Sequence, residues 1–372
     1  MQRSTKGFWG VLIGVMVASL GCGGGGDSTS QELASRGDLG SSGETREHEV
    51  EEHSSIKWSF KTEGEISTSP AVSSGVAYLG SHDGNLYAVD SETGEQQWVF
   101  RAGGWISASP VVSDGVVYFG TRDGVLYAVS IESKQEKWSF KTKGDITSSP
   151  AIFSGLAFFG SHDGNFYAVD IETGQERWRF KTAGFVFSSP VVLDERVYFG
   201  SADGHLYALD VETGQKQWSF KTDQGITSTP AVFSGVVYVV SVGGYLYAVD
   251  IETGQKQWSF KPQGELGQSP AVSDGAVYVG SRDGYFYAVH PETGQERWSF
   301  YAGSMSTFTP VVSGEVVYFG SLDGHLIAIN RAVGQEEWKL KLPGTIWSSP
   351  LVSSGSIYFG TDDLHHYAVH ER

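Results

Sequence analysis

The stretch SPAVSDGAVYVGSRDGYFYAVHPETGQERWSF, from Ser269 to Phe300, decides the fold. It divides into four extended segments: Ser269 to Val272, Ala276 to Ser281, Tyr285 to His290 and Gln295 to Phe300. Between them stand Ser273-Asp-Gly275, Arg282-Asp-Gly284 and Pro291-Glu-Thr-Gly294, each ending in a glycine able to take the left-handed conformation of a tight turn. Three successive hairpins make an antiparallel meander. Four strands with short loops account for about 40 residues and leave no room for a helix.

The unit recurs without a slip. Trp58, Trp98, Trp138, Trp178, Trp218, Trp258, Trp298 and Trp338 are spaced by 40 residues, and so are eight Ser-Pro or Thr-Pro pairs from Pro70 to Pro350. A fixed period means stacked copies sharing one structure, so the 372 residues are expected to form one folded domain. The second and third strands are continuous apolar runs, such as Val116 to Phe119 and Leu206 to Leu209, which implies burial on both faces. A small sheet covered on both faces by copies of itself is the blade of a β-propeller.

The ends of the repeat region specify closure. It begins with Ile56 to Phe60, a fourth strand lacking its first three, and finishes with Tyr367 to His370, a third strand lacking its fourth. An open solenoid would instead require polar capping repeats. The expected fold is all-β: an eight-bladed propeller over residues 56–372, with four-stranded antiparallel blades and the ring closed by the N-terminal strand joining the C-terminal blade. Each Ser/Thr-Pro proline is expected as the first residue of an inner strand, where a missing N–H is tolerated. Trp and Phe two apart in each outer strand should share one face and pack on the neighbouring blade.

Composition narrows the function. Hydrophobic residues make up 40% of the chain and charged residues only 19%, enough for a buried core. The net charge is −17, and residues 1–55 hold four basic against eight acidic side chains, so most of the excess lies on the repeats. That balance argues against nucleic acid, which calls for clustered Lys and Arg.

The N-terminus is an address. Arg3 and Lys6 precede an apolar run from Phe8 to Leu20, too short to span a bilayer, which takes about 20 residues. Residues 1–21 therefore read as a signal peptide. Ser19-Leu20-Gly21-Cys22 resembles the bacterial lipoprotein box, although Ser19 stands where that pattern prefers Leu. Cys22 is the only cysteine, so it cannot form an internal disulfide, and lipidation is its expected use. Residues 22–55, rich in Gly, Ser and Glu, are expected to form a disordered tether with an average span of about 30 Å.

Tyr-Ala-Val-Asp, then Glu-Thr-Gly-Gln, then Trp four residues after the glycine resembles the PQQ-like, or quinoprotein-type, repeat family over residues 56–370. WD40 dipeptides do not recur. Two turns depart from the pattern, at Ser133-Lys134 and Val333-Gly334. One branch of the family comprises quinone- and calcium-dependent dehydrogenases; the other comprises non-catalytic scaffolds typified by the lipid-anchored outer-membrane assembly factor BamB. Lipoprotein box, tether and eight repeats match the second. A single cysteine and the lack of insertions in the 40-residue units speak against the first, whose site often uses adjacent cysteines. The resemblance thus implies a monomeric, non-enzymatic scaffold without cofactor, in the cell envelope and facing the periplasm, with an envelope protein partner.

Function should lie where the copies differ. Five residues before each proline stand Glu65, Trp105, Asp145, Phe185, Gly225, Glu265, Met305 and Thr345, with Phe187, Phe308 and Trp347 nearby. Large apolar groups at a ring opening are costly unless covered, which makes Trp105, Phe185, Phe187, Met305, Phe308 and Trp347 candidates for partner binding. The same aromatics beside Glu65, Asp145 and Glu265 would suit carbohydrate, so a lectin-like propeller is the alternative. The aspartates at Asp83, Asp123, Asp163, Asp203, Asp283, Asp323 and Asp363 read as turn formers. His82, His162, His205, His325, His365 and His366 fall at the same turns but on different blades, too dispersed for a metal site. No Gly-x-Ser-x-Gly motif or other nucleophile pattern is present.

Overall fold

The computed structural model describes residues 56–371 apart from Gln268, Asp274, Ser306 and Thr307; the signal segment, the tether and Cys22 lie outside the described residues. Eight sheets of four antiparallel strands make eight blades of a β-propeller, and the described residues contain no helix. The first blade is typical, with strands Ala71–Ser73, Val76–Gly80, Asn85–Asp90 and Gln96–Arg101 in sequence order. Its two middle strands are almost wholly buried, as their apolar runs require.

The ring closes as its ends imply. Ile56–Lys61 lies on the edge of His365–His370, pairing Trp58 with Ala368 and Phe60 with His366. Four strands from opposite ends of the chain thereby complete the eighth blade. The junction is packed as well as paired: Trp58 is buried among Ala77, Leu79 and Val89 of the first blade and Tyr358 and Ala368 of the last.

The prolines differ slightly from expectation. Each inner strand begins at the residue after the proline, as in Ala71–Ser73 following Pro70. Proline has no N–H for the ladder, so pairing starts one residue later. The preceding Ser or Thr takes a role that its sequence did not announce. The Ser69 N–H donates to Ser109 Oγ at 2.9 Å, Ser109 N–H to Ser149 Oγ at 2.9 Å, and Ser149 N–H to Ser189 Oγ at 2.9 Å. These bonds pass from blade to blade around the inner wall, satisfying backbone groups that no strand partner reaches.

Tryptophan and the Thr-Gly turn prove to be two halves of one contact. The Trp58 indole N–H donates to the Ser91 carbonyl of the next blade at 2.9 Å, and Trp218 repeats this with Ile251 at 3.0 Å. Gly94, at φ +73°, lies under the Trp58 ring, where a Cβ would stand 2.8 Å from it. Glycine is required there twice over, for its backbone conformation and for the closeness of the ring. A bulge in the outer strand, skipping Gln97 between the pairs Ala88–Trp98 and Val89–Gln96, accompanies this arrangement.

The loop from each outer strand to the next inner strand meets the turn between second and third strands on one face of the ring. Backbone bonds tie them: the His82 N–H donates to Glu65 O, Arg122 N–H to Trp105 O, and His162 N–H to Asp145 O, each at 2.9 Å. The closing strand runs toward this face, since Thr62 N–H donates to Leu364 O at 2.8 Å. Ile56, where the described chain begins, is therefore at the opposite face.

Candidate binding site on the loop face

The backbone pairing sets each variable loop residue against one variable turn residue. Going round the ring the pairs are Glu65 with His82, Trp105 with Arg122, Asp145 with His162, Phe185 with Ala202, Gly225 with Val242, Glu265 with Arg282, Met305 with Leu322 and Thr345 with Asp362. The scaffold is uniform, whereas this ring of pairs is not. One arc is charged and aromatic, and another is apolar.

In the charged arc, His82 Nδ1 lies 3.6 Å from the Glu65 carboxylate and its Nε2 lies 2.8 Å from Ser67 Oγ. A neutral ring with its proton on Nδ1, accepting from Ser67, satisfies both contacts. Its plane stacks on Trp105 of the next blade, centroids 5.3 Å apart and 8° from parallel. Two blades on, the group is repeated: His162 lies 3.8 Å from Asp145 and 2.9 Å from Thr147 Oγ1, and stacks on Phe185 at 5.7 Å. Phe187 meets the same imidazole edge-on at 4.4 Å.

Arg122 stands between the two groups. Its guanidinium lies 5.4 Å from the Trp105 ring centre, and its Nε donates to Ser107 Oγ at 3.0 Å. Burial draws both histidines below the usual imidazole range, and the Arg122 charge pushes each the same way, against the nearby carboxylates. Both rings are accordingly neutral near pH 7.

All six candidate residues reach this face or its rim. Trp105 and Phe185 are each 53% exposed and Trp347 is 45% exposed, while Phe187, Met305 and Phe308 are half-buried. Phe308 and Trp347 pack together at 6.2 Å, on the arc that also carries Met305 with Leu322. The histidines do not act as one set. His205, His325 and His365 face the aspartates of their own turns, and His366 is buried in the closing seam, where Leu or Phe stands in the other blades. Contact between blades on this face runs from a turn to the next variable loop, as from His82 to Trp105 and from His162 to Phe185.

The turn aspartates are consumed locally. Asp83 accepts from the N–H groups of Asn85 at 2.8 Å and Glu63 at 3.0 Å, and from the Tyr87 hydroxyl at 2.8 Å. A second aromatic feature was legible only as a break in the repeat. Tyr301 takes the place held by Lys or Arg in every other outer strand, and it lies exposed against Tyr285, centroids 5.0 Å apart.

The family model described as "Beta-alanine-activating enzyme, beta-propeller" matches residues 51–236, half of the chain, and the one described as "Outer membrane protein assembly factor BamB" matches residues 220–361. The chain belongs to the family of PQQ-like, BamB-like β-propellers that these two models describe. Among solved structures it is similar to BamB from Moraxella catarrhalis, at 22% identity and a TM-score of 0.75 over 85% of this chain and 99% of that one. It is also similar to the computationally designed protein Ika8, at 23% identity and a TM-score of 0.74 over 83% of this chain and 98% of that one. The quinohemoprotein alcohol dehydrogenase from Comamonas testosteroni shares 16% identity and a TM-score of 0.72 over 85% of this chain and 76% of that one. No curated protein matches the chain in sequence. At these identities the structural likenesses establish the fold, which serves binding proteins and oxidoreductases alike.

Proposed function

We propose that this protein is a non-catalytic scaffold of the bacterial cell envelope, held to a membrane by lipid on Cys22 and by the tether of residues 22–55. The observation that carries the reading is the apolar arc of the loop face. Phe308, Trp347, Met305 and Leu322 gather there at least partly in contact with solvent. Exposed apolar side chains so grouped mark a protein-binding surface, with aromatics its expected anchors. Entry of the chain at the opposite face supports the same reading, because a tether there leaves the loop face directed away from the anchor. The BamB-like repeat supports a setting in outer-membrane protein assembly, with Trp105, Phe185 and Phe187 extending the contact surface. Repeats of constant length, without inserted loops, support a binding role over a built-in catalytic centre.

The test is affinity capture of the full chain from native membranes, beside Trp347→Ala and Phe308→Ala, with the captured proteins identified. Recovery of an outer-membrane assembly component by the parent, reduced at least fivefold by either substitution, is the expected result. Equal recovery by all three would rule out the arc as the contact.

A further inference from the structure

We propose that the charged arc, from Glu65 on the first blade to Phe185 near the fourth, is a two-part binding site for a neutral, polyhydroxylated glycan. This goes beyond the scaffold reading and does not depend on it. The same constellation appears twice, 80 residues apart: Glu65, Ser67, His82 and Trp105 recur as Asp145, Thr147, His162 and Phe185. Their contacts recur as well, carboxylate to imidazole, imidazole to hydroxyl, and imidazole stacked on the aromatic of the following blade. The other half of the ring holds no such pair among the described residues, although its backbone is the same. A ligand with a repeating structure fits a site with a repeating structure.

Charge selects among such ligands. Glu65 is 77% exposed in its side chain and Asp145 43%, so both retain acceptor capacity toward solvent. An ionised carboxylate takes only donors. Arg122, placed between them, offers only donors and takes only acceptors. A polycation would gain at Glu65 and Asp145 but meet Arg122, and a polyanion would gain at Arg122 but meet both carboxylates. Either mismatch would set like charges against each other in the contact and weaken it. A sugar hydroxyl is donor and acceptor at once, so one neutral chain can donate to both carboxylates and accept from the guanidinium.

The aromatic groups supply the remaining part. Trp105 and Phe185 are broad and more than half exposed, and the imidazoles stacked on them hold them in place. Such rings accommodate the C–H face of a pyranose, which is the apolar side of an otherwise polar molecule. The neutral histidines add no charge that would favour an ionic ligand near pH 7.

The experiment is calorimetric titration of the full chain with maltohexaose, cellohexaose and chitohexaose, with polylysine and polyglutamate as charged counterparts. At least one hexasaccharide is expected to bind, with little response to salt. Trp105→Ala and Phe185→Ala should each weaken it at least tenfold, and Trp347→Ala less than twofold. Should an aromatic variant misfold, Glu65→Gln and Arg122→Gln are surface changes expected to weaken binding at least threefold. No binding by any hexasaccharide, tighter binding of either charged polymer, or equal affinity in all the variants would overturn the proposal. Protein capture lost in Trp347→Ala while glycan binding persists would separate this site from the scaffold surface, whereas glycan binding lost in Trp347→Ala would move the ligand to the apolar arc and overturn the proposal.

Discussion

The Asp223 carboxylate fills the space that a side chain at Gly243 would occupy; a Cβ there would stand 1.7 Å from Asp223 Oδ2. Position 243 carries aspartate in the other blades, and at Asp83, Asp163, Asp203 and Asp363 that side chain accepts from the tyrosine four residues on. In the fifth blade the carboxylate arrives from the adjoining loop instead, taking the Ser241 hydroxyl at 2.6 Å and the Tyr247 hydroxyl at 3.1 Å.

This exchange predicts strong coupling. Asp223→Ala should cost about 1–3 kcal/mol by leaving two part-buried hydroxyls without their acceptor. Gly243→Asp alone should also destabilise, since two carboxylates would compete for one space. The double variant Asp223→Ala/Gly243→Asp should recover most of the loss, a non-additivity measured by denaturant titration. Simple addition of the two losses would show that the positions do not substitute for one another.

The inter-blade tryptophan contact makes a second, two-sided prediction. Gly174 has φ +70°, and a Cβ would stand 2.8 Å from the Trp138 ring. Gly174→Ala should destabilise by about 2–4 kcal/mol through backbone strain and overpacking. Lys134 holds the equivalent place in the second blade at φ +59°, against the preference of any side chain. Lys134→Gly should stabilise by about 1 kcal/mol. A loss of stability in Lys134→Gly, measured by thermal unfolding, would show that the lysine is held by contacts outweighing its strain.

His366 gives the pH dependence. Burial takes its pKa down to about 3, the Gly80 carbonyl and the Asp83 charge opposing only in part, and neither ring nitrogen has a hydrogen-bond partner of good geometry. Because the folded-state pKa lies below that of the unfolded chain, unfolded molecules take up the proton first as pH falls. Stability is therefore full above about pH 6.5 and declines below it, by about 2 kcal/mol at pH 5 from this group. Asp163 and Asp203, held low by hydrogen bonds from their tyrosines and backbone against the effect of burial, add losses only below about pH 4. His366→Leu should therefore lessen the decline between pH 7 and pH 5, leaving the part that His82 and His162 contribute through their own lowered pKa values. The same difference in unfolding free energy between parent and variant at both pH values would count against it.

The closing strand should be indispensable. Removal of residues 1–61 strips Trp58 from the junction and bares the edge of His365–His370, so the product should lose cooperative unfolding and associate through that edge. Analytical ultracentrifugation and denaturation curves check this. A monomer as stable as the parent would mean that the ring does not rely on the joint.

Most of the fold was legible because the repeat is strict: Trp58 and Tyr367, lying outside any complete copy, already fixed where the ring must join. Much of the candidate site was not, because its chemistry arises between blades. His82 and Trp105 belong to different repeats and share no motif, and only the backbone bond from His82 to Glu65, with the stacking across the gap, brings them together. The glycine at position 243 carries no sign in the sequence that Asp223, from another loop, supplies the carboxylate instead. Ser69 and its counterparts read as companions to proline, because a hydrogen bond reaching 40 residues ahead leaves no local signature.

The direction of the closing strand also has a mechanical meaning. A pull entering at Ile56 and resisted by a partner on the loop face travels along Ile56–Lys61 rather than across it. The hydrogen bonds to His365–His370 lie perpendicular to that line. They are loaded in shear, all at once, instead of being unzipped one after another. A ring joined without a covalent link is thus fastened in its stiffest direction against tension on its own leash.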